Sequence, residues 1–188
     1  IGAGQMGAGI SHVCALAGFD VRLVDIDPER LANGMSLVDH YLGRQVAKGR
    51  IGEADKKAAL GRITSGGDLT AVGDSDLVIE AVTEDEQVKM GVYKELCPHL
   101  KPETLLATNT SSISITRLAA QTDRPGKFLG MHFMYPAPMM DLVELIRGIA
   151  TDKETFDTIS DLVVKLGKTP VSSEDFSSFI VNRILMPM

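Results

Sequence analysis

The 188-residue sequence contains no tryptophan and only two cysteines, and aromatic residues make up 5% of it. Cys14 and Cys97 lie far apart with no Cys-x-x-Cys pair, which excludes a cysteine-based metal box and a disulfide framework. We expect both to be small buried side chains, and we expect a reducing, cytoplasmic location. The sequence predicts no metal site.

Long hydrophobic runs and positive charge are also scarce. No apolar run reaches the roughly 18 residues that a membrane helix needs, so we expect no membrane segment. The 19 lysine and arginine residues face 25 acidic residues, which gives a net charge of −6. That balance argues against a dedicated nucleic-acid binder, which needs a basic surface. The length suits one domain, or one domain and part of a second.

The helical and strand patterns alternate along the chain. We predict strands at 21–25, 76–82, 105–108, 128–133, 142–146 and one ending at Val171. We predict helices at 6–17, from Pro28 to near Gly49, at 53–60, from a cap at Thr83 to before Pro98, after Ser114, and at 156–166, with capping boxes at Thr83/Glu86 and Thr151/Glu154 and a loop at 65–67. This alternation indicates an α/β fold with a doubly wound, mostly parallel sheet. We place that domain at 1–172.

A glycine-rich segment opens the chain with the pattern G-x-G-x-x-G. Such a loop lets the backbone approach a pyrophosphate at a helix N-terminus. Asp25 ends the next predicted strand, eighteen residues after the last glycine of the pattern, where an acid accepts both ribose hydroxyls and repels a 2′-phosphate. The pattern favours a Rossmann-like NAD site; the alternative is that Asp25 or Asp27 only caps the next helix. The expected phosphate-side contacts are Gly2, Gly4, Gln5, Met6 and Gly7.

Both ends of the sequence look incomplete. Only Ile1 precedes the glycine loop, although such a loop follows a buried strand. Residues 179–188 form an apolar helical pattern with nothing to pack against. We therefore expect the first strand to be largely missing and residues 173–188 to begin a further domain.

Among four histidines, His132 stands out because it lies near the end of an apolar strand, where open α/β sheets bind ligands. Glu144 lies within the next strand, and a carboxylate there needs a partner. If the strands are adjacent, Glu144 meets the His132 ring and fixes its tautomer. The alternatives are a satisfied core histidine and an edge glutamate. His12, His40 and His99 are expected to be structural or solvated.

Two further polar sites follow apolar segments. The Asn109-Thr110-Ser111-Ser112 segment comes after a strand, so its side chains are expected in the same cleft; the alternative is a plain polar turn. Asn182 lies among apolar residues and is either a hydrogen-bonded core amide or a substrate contact.

The ordered motifs IGAGQMGAGI, VRLVD, IEAVTED, ATNTSSISI, GMHFMYPAP, LVELI and FIVNR resemble those of the 3-hydroxyacyl-CoA dehydrogenases, with the bacterial 3-hydroxybutyryl-CoA enzymes as the most similar subgroup. The resemblance covers nearly the whole chain. It implies an NAD-binding domain followed by a helical domain that builds a homodimer. It implies oxidation of a (3S)-3-hydroxyacyl-CoA, with acetoacetyl-CoA or 3-hydroxybutyryl-CoA as substrate.

The resemblance also assigns residues. It implies catalytic roles for His132, Glu144, Ser111 and Asn182. It implies cofactor-side contacts for Asp25, Glu84 and Lys89, and we expect Asn109 to join them. Two departures stand out, since the family usually has asparagine where this chain has Tyr135 and Pro-Gly where it has Ser177-Ser178. These departures leave open a non-catalytic NAD-binding protein and a hydroxyacid dehydrogenase that uses no CoA ester.

Overall fold

Seven short strands alternate with seven helices in residues 1–185, the part of the chain that the structure, a computed structural model, describes. The strands are β1 (Val21–Val24), β2 (Ile63–Gly66), β3 (Leu77–Glu80), β4 (Leu105–Thr108), β5 (Phe128–Phe133), β6 (Leu142–Arg147) and β7 (Thr169–Glu174). The helices are α1 (Gln5–Leu16), α2 (Pro28–Ala47), α3 (Glu53–Gly61), α4 (Glu86–Leu96), α5 (Ile115–Ala119), α6 (Lys153–Lys165) and α7 (Val181–Leu185).

The strands form two sheets that Ile1 and Gly2 bridge. One sheet has the order β3-β4-β5-β6-β7, with only the β5–β6 pair antiparallel, and the other pairs β1 with β2 in parallel. Between them, the Gly2 N–H donates to the Val24 carbonyl at 2.8 Å, and the Ala81 N–H donates to the Ile1 carbonyl at 2.8 Å. The predicted doubly wound, mostly parallel α/β sheet is confirmed.

Helix α1 follows the glycine loop. Glycines allow both α1 and the loop to pack closely against neighbouring segments. A Cβ at Gly9 would lie 3.2 Å from the Ala137 Cβ, in the segment that follows β5. A Cβ at Gly34, within α2, would lie 2.7 Å from the Ala3 carbonyl oxygen. Helix α2 therefore packs against the glycine loop at Ala3, and α1 packs against the segment after β5. This close packing places the start of α1 near the end of the strand that carries His132.

Several local predictions are wrong. Residues 65–66 belong to β2, because main-chain pairing with β1 overrides a Ser-Gly composition typical of loops. Asp85, not Thr83, caps α4, since its carboxylate accepts the Val88 N–H. Asp152 precedes α6 without a side-chain cap, because the Thr151 hydroxyl is engaged with the Phe128 carbonyl at 2.7 Å.

The last predicted elements also differ from the structure. Strand β7 continues to Glu174, three residues beyond the predicted end, because it pairs with β6 along its whole length. The apolar helix predicted from residue 179 begins at Val181, since Ser178 and Phe179 have φ values of 64° and 50° and lie in a left-handed turn. The end of that predicted helix, residues 186–188, lies outside the described residues.

Candidate active site

The antiparallel pairing of β5 and β6 brings the two expected side chains together. His132 and Glu144 are direct cross-strand partners in the register. The His132 Nδ1 lies 2.7 Å from the Glu144 Oε2, with Glu144 fully buried and His132 6% exposed. A carboxylate at this distance accepts the Nδ1 proton, so that in the neutral ring Nε2 carries the lone pair that can take a proton. The arrangement is that of a base held in one tautomer.

The second oxygen of Glu144 binds the start of the last helix. The Ile180 and Val181 N–H groups donate to Oε1 at 3.0 and 2.8 Å. These bonds satisfy the buried carboxylate and fix α7 beside the histidine. The ring of Phe179 lies edge-on to that of His132, with centroids 6.1 Å apart. Glu144 therefore connects the imidazole to the segment that carries Asn182.

The loop after β4 is held through its main chain. The Glu84 Oε1 accepts the Ser111 N–H at 2.8 Å and the Ser112 N–H at 3.1 Å, and it accepts the Thr110 hydroxyl at 2.6 Å. On the opposite side, the Asn182 side-chain N–H₂ donates to the Ser111 carbonyl at 3.1 Å. Within residues 1–185, the Ser111 hydroxyl has no hydrogen-bond partner. The structure thus brings Ser111 and Asn182 together and leaves that hydroxyl free.

Asn109 and Glu84 are two further polar residues at this end of the sheet. The Asn109 Oδ1 accepts the Phe133 N–H at 2.8 Å, so Asn109 joins the ends of β4 and β5. Burial opposes ionisation of Glu84, but hydrogen bonds from the Thr110–Ser112 loop and the charge of Lys89 outweigh burial and lower its pKa. Glu84 therefore stays a carboxylate at neutral pH and keeps the loop bound.

The glycine loop has the geometry that a pyrophosphate requires. A Cβ at Gly7 would lie 1.7 Å from the Gly2 carbonyl oxygen, whereas a Cβ at Gly4 would meet nothing within 4 Å. Gly7 is therefore required by internal packing, while Gly4 leaves its outer side open to a ligand. Helix α1 begins at Gln5 and Met6 with no side-chain cap and no acid in its first turn. Its free N–H groups and dipole are available to a phosphate.

Asp25 and Asp27 have separate tasks. The Asp25 Oδ2 accepts the Ala3 N–H at 2.8 Å and its Oδ1 accepts the Asp27 N–H at 3.0 Å. The cap of α2 is Asp27, which accepts the Glu29 N–H. Asp25 therefore faces the glycine loop and is not the helix cap. Each of its oxygens retains a lone pair for a ribose hydroxyl.

Lys89 lies in a buried polar cluster that the sequence analysis did not anticipate. Its Nζ lies 2.7 Å from the Glu80 Oε1 and 3.7 Å from the Glu84 Oε2. The other oxygen of Glu80 accepts the Tyr93 and Thr108 hydroxyls, each at 2.8 Å. Lys89 is only 1% exposed, so it supports Glu84 from beneath the cleft. The missed signal is a glutamate inside an apolar strand, the same signal that marked Glu144.

A basic pocket lies beside the loop that follows β5. Its lining residues are Tyr41, Arg44, Gln45, Lys48, Arg50, Pro138 and Met139. Tyr135 is 56% exposed, and its hydroxyl is next to that of Tyr41. Three cationic side chains in one pocket favour an anionic ligand. Tyr135 stands between this pocket and His132 along the chain.

The described part of the chain has neither a metal site nor a membrane-spanning helix. Within residues 1–185, no three histidine, cysteine or acidic side chains converge as metal ligands. In the same range, no helix has the length and apolar character to span a membrane.

The family is decided by comparison with known proteins. The model of the 3-hydroxyacyl-CoA dehydrogenase NAD-binding domain matches residues 1–176. The chain belongs to the 3-hydroxyacyl-CoA dehydrogenase family. It is 57% identical over 188 residues to the 3-hydroxybutyryl-CoA dehydrogenase of Bradyrhizobium diazoefficiens, and it covers 100% of its own length and 64% of that relative.

Other members of the 3-hydroxyacyl-CoA dehydrogenase family agree. The chain is 49% identical to a probable 3-hydroxybutyryl-CoA dehydrogenase of Deinococcus radiodurans, of which it covers 67% while aligning over 100% of its own length. The crystal structure of the (S)-3-hydroxybutyryl-CoA dehydrogenase of Ralstonia eutropha superposes with a TM-score of 0.97 at 43% identity, covering 100% of this chain and 66% of that one. The chain thus spans about two thirds of these family members, and it contains their NAD-binding domain.

Proposed function

We propose that this domain belongs to an enzyme that reversibly oxidises (3S)-3-hydroxyacyl-CoA to 3-oxoacyl-CoA, with NAD as hydride acceptor. The observation that carries the proposal is the 2.7 Å contact between the His132 Nδ1 and the Glu144 Oε2, at the sheet end that faces the glycine loop. A short acyl chain, as in 3-hydroxybutyryl-CoA, is favoured because the relatives described above bear that name.

His132 is proposed as the general base. Its Nε2 takes the hydroxyl proton of the substrate, and Glu144 offsets the charge of the resulting imidazolium. The cofactor, when bound, supplies the hydride acceptor. In the reverse direction, the imidazolium returns the proton to the carbonyl oxygen. Because Glu144 cannot rotate away from its three bonds, the imidazole keeps its orientation through both directions.

The free hydroxyl of Ser111 and the amide of Asn182 are proposed to bind the reacting oxygen. Ser111 is held through its main chain, and within residues 1–185 its hydroxyl makes no hydrogen bond that would compete with a ligand. Donors that are already oriented stabilise developing charge without reorganisation. Asn182 has one further amide hydrogen after its bond to the Ser111 carbonyl.

The cofactor is proposed to lie along the sheet end. Its pyrophosphate contacts the segment of Gly2, Gly4, Gln5, Met6 and Gly7, and Asp25 binds the adenosine ribose, which disfavours a 2′-phosphate. Glu84 and Asn109 border the nicotinamide side. Lys89, being buried, is proposed to act by holding Glu84 in place.

The phosphates of CoA are proposed to bind the basic pocket of Arg44, Lys48 and Arg50. An acyl thioester reaching from that pocket toward His132 is proposed to pass Tyr135, which is 56% exposed. Tyr135 is therefore expected to shape which acyl chains fit.

A homodimer is proposed, formed by the helical domain that the family resemblance implies. The supporting observation is the exposed apolar surface of α7, where Ile184 and Leu185 are 59% and 61% exposed. Both cysteines are free thiols, which suits action in the reducing cytoplasm. Light scattering on the full-length protein measures the assembly state, and a monomer would contradict the dimer.

The test is NADH oxidation by the full-length protein with acetoacetyl-CoA. We expect turnover with NADH and far less with NADPH. His132→Gln should lower kcat by about 10²- to 10⁴-fold, since it removes the general base, while the affinity for NADH stays within about twofold. An unchanged kcat would remove His132 from its proposed role.

Free CoA provides a second arm of this test. Competition by free CoA supports a thioester substrate. Turnover of a free hydroxyacid without such competition would indicate the related dehydrogenase class. NADH binding without turnover of any hydroxyacid or its CoA ester would indicate a non-catalytic protein.

A further inference from the structure

Asp175, which follows β7, holds the beginning of α5. Its Oδ1 accepts the Ile115 N–H at 2.9 Å, and its Oδ2 accepts the Thr116 N–H at 2.8 Å and the Ser114 hydroxyl at 2.8 Å. All three partners are neutral donors, and they occupy the N-terminus of one short helix. A single carboxylate therefore fixes the chain directly after the Ser111 loop.

The same aspartate lies at the head of the segment that ends in the active site. Residues 176–182 lead from Asp175 to the Ile180 and Val181 N–H groups that bind Glu144, and then to Asn182, which binds the Ser111 carbonyl. Asp175 is thus linked to both sides of the site. Its hydrogen bond to Ser114 links it to Ser111, three residues earlier in the chain, and the residues that follow Asp175 link it to Asn182.

We propose that Asp175 is a positioning residue that sets the placement of Ser111 and Asn182 relative to the His132–Glu144 pair, an inference that rests on the proposed function. By holding the start of α5 and the start of the 176–182 segment at one point, Asp175 makes the two sides of the cleft move together.

The segment between Asp175 and α7 needs an anchor. Ser178 and Phe179 both have positive φ, a conformation that costs a non-glycine residue free energy and persists only when its surroundings enforce it. Glu144 holds the far end of this turn, and Asp175 holds the near end. Burial opposes ionisation of Asp175, but hydrogen bonds from Thr116, Ser114 and Ile115 outweigh it and lower the pKa. The carboxylate is thus charged, and strongly accepting, at neutral pH.

The first test follows amide hydrogen exchange in the full-length protein, comparing wild type with Asp175→Ala and Asp175→Asn. We expect the Ile115 and Thr116 amides to exchange at least about tenfold faster in the alanine variant, and the remote Ile180 and Val181 amides to accelerate with them. Glu174→Gln, which removes the same charge from an exposed neighbour, is the matched control and should exchange as wild type does. Unchanged exchange at Ile180 and Val181 overturns the inference.

The second test uses kinetics. Asp175→Ala should lower kcat by about 10- to 100-fold through displaced catalytic groups, with the NADH affinity nearly unchanged. If Ile180 and Val181 release Glu144, its carboxylate interacts more strongly with the imidazolium, so the acid limb of the kcat/KM profile moves to higher pH. A merely structural role would leave that limb in place. Asp175→Asn, which retains one acceptor oxygen, should fall between wild type and alanine.

The outcomes separate this inference from the proposed function. If the wild type turns over acyl-CoA and Asp175→Ala has the same kcat and pH profile, only the proposed role of Asp175 is overturned. A wild type that turns over no acyl-CoA removes the proposed function, and the exchange data then decide whether Asp175 holds the start of α7. Should the alanine variant fail to fold, the asparagine variant and Ser114→Ala carry both tests.

Discussion

Glu144 is fully buried, and each of its oxygens has a different partner. One oxygen meets the His132 ring, and the other accepts two main-chain N–H groups at the start of α7. The main-chain contacts of the Oε1 atom support the contact of the Oε2 atom with His132, because they prevent the carboxylate group from rotating and exchanging its two oxygens. The orientation of the imidazole is therefore determined by main-chain atoms three elements away in sequence.

Glu144→Gln should lower kcat by about 10²- to 10⁴-fold. The glutamine oxygen must face the Ile180 and Val181 N–H groups, so its NH₂ points at the His132 Nδ1 and donates to it. The ring proton then moves to Nε2, which no longer accepts a proton from substrate. The imidazolium also loses its countercharge, so the acid limb of the kcat/KM profile should move to lower pH. The exposed Glu154→Gln is the control, and equal profiles for both variants would refute the pairing.

Ser178→Gly should raise the free energy of unfolding by about 0.5–1 kcal/mol. Ser178 has a φ of 64°, where a side chain costs about 1–2 kcal/mol and glycine costs nothing sterically. The adjacent Ser177 has no positive φ, so Ser177→Gly should instead lower stability by increasing unfolded-state entropy. Denaturant unfolding of the two variants measures the contrast, and stabilisation by both would contradict this explanation.

At the residue scale, the sequence predicts pairs whose chemistry demands a partner. A glutamate within an apolar strand required a nearby cation or donor, and that argument located Glu144 beside His132. The same argument applied to Glu80 would have located Lys89. Asp175 carried no such signal, because a carboxylate after a strand is ordinary and its three donors come from residues sixty positions earlier.

At the scale of elements, α2 packs closely against the glycine loop at Gly34. A Cβ there would lie 2.7 Å from the Ala3 carbonyl oxygen, which is main chain and cannot move aside as a side chain does. Ala3 in turn donates its N–H to Asp25. The position of α2 is thus coupled to the acid expected to bind the ribose.

Gly34→Ala should weaken NADH binding by more than about tenfold and lower stability by about 1–3 kcal/mol, because α2 and the loop must separate. Gly43→Ala in the same helix is the control, since its Cβ would meet only the Lys56 Nζ, the end of a long side chain, at 3.4 Å. That control should gain up to about 1 kcal/mol from helix propensity. NADH fluorescence titration and thermal unfolding give both quantities, and equal losses in the two variants would contradict the coupling.

The α1–α2 interface should make stability depend on pH through His12. Its ring is 1% exposed with neither nitrogen hydrogen-bonded within residues 1–185, and burial lowers its pKa from 6.5 to about 4. The unfolded chain binds the proton more readily, so stability is full above pH 6.5 and falls as the pH drops toward 4. The loss amounts to about 3 kcal/mol. In denaturant unfolding, His12→Gln should largely remove the fall in the free energy of unfolding between pH 6.5 and pH 4. An unchanged pH dependence would refute this role of His12.

Elements with a clear apolar pattern were predictable, whatever their length, and elements without one were not. Helices α1, α2 and α6 and the apolar strands β4, β5 and β6 follow their sequence patterns within about three residues. Strand β2 has a polar, glycine-containing sequence and exists because β1 offers main-chain partners. The turn before α7 depends on Glu144, which lies 36 positions before Ile180. Local sequence does not encode either contact.

At the scale of the whole molecule, a net charge of −6 opposes the approach of two polyanions, NAD and the proposed acyl-CoA substrate. The pocket of Arg44, Lys48 and Arg50 reverses the sign of the charge locally. Local cationic groups of this kind raise the concentration of an anion at the site, and salt screens them.

The KM for acetoacetyl-CoA should therefore rise several-fold between low and about 0.5 M salt. A thioester of acetoacetate that lacks the nucleotide should show no such rise. Lys48→Gln should raise the KM for the CoA ester alone, whereas the exposed Lys153→Gln should change neither value. A salt effect of equal size on both thioesters would show that the pocket does not bind the phosphates.

The way the protein holds Ser111 has a practical consequence. Its two contacts use the amide nitrogen and the carbonyl oxygen, so the course of the loop is independent of the side chain carried there. A cysteine at this position would retain these main-chain contacts, and because Cys14 is partly exposed while Cys97 is buried, Cys14 would be replaced by alanine first. Residue 111 is thus a suitable attachment point for a spectroscopic label or a covalent inhibitor.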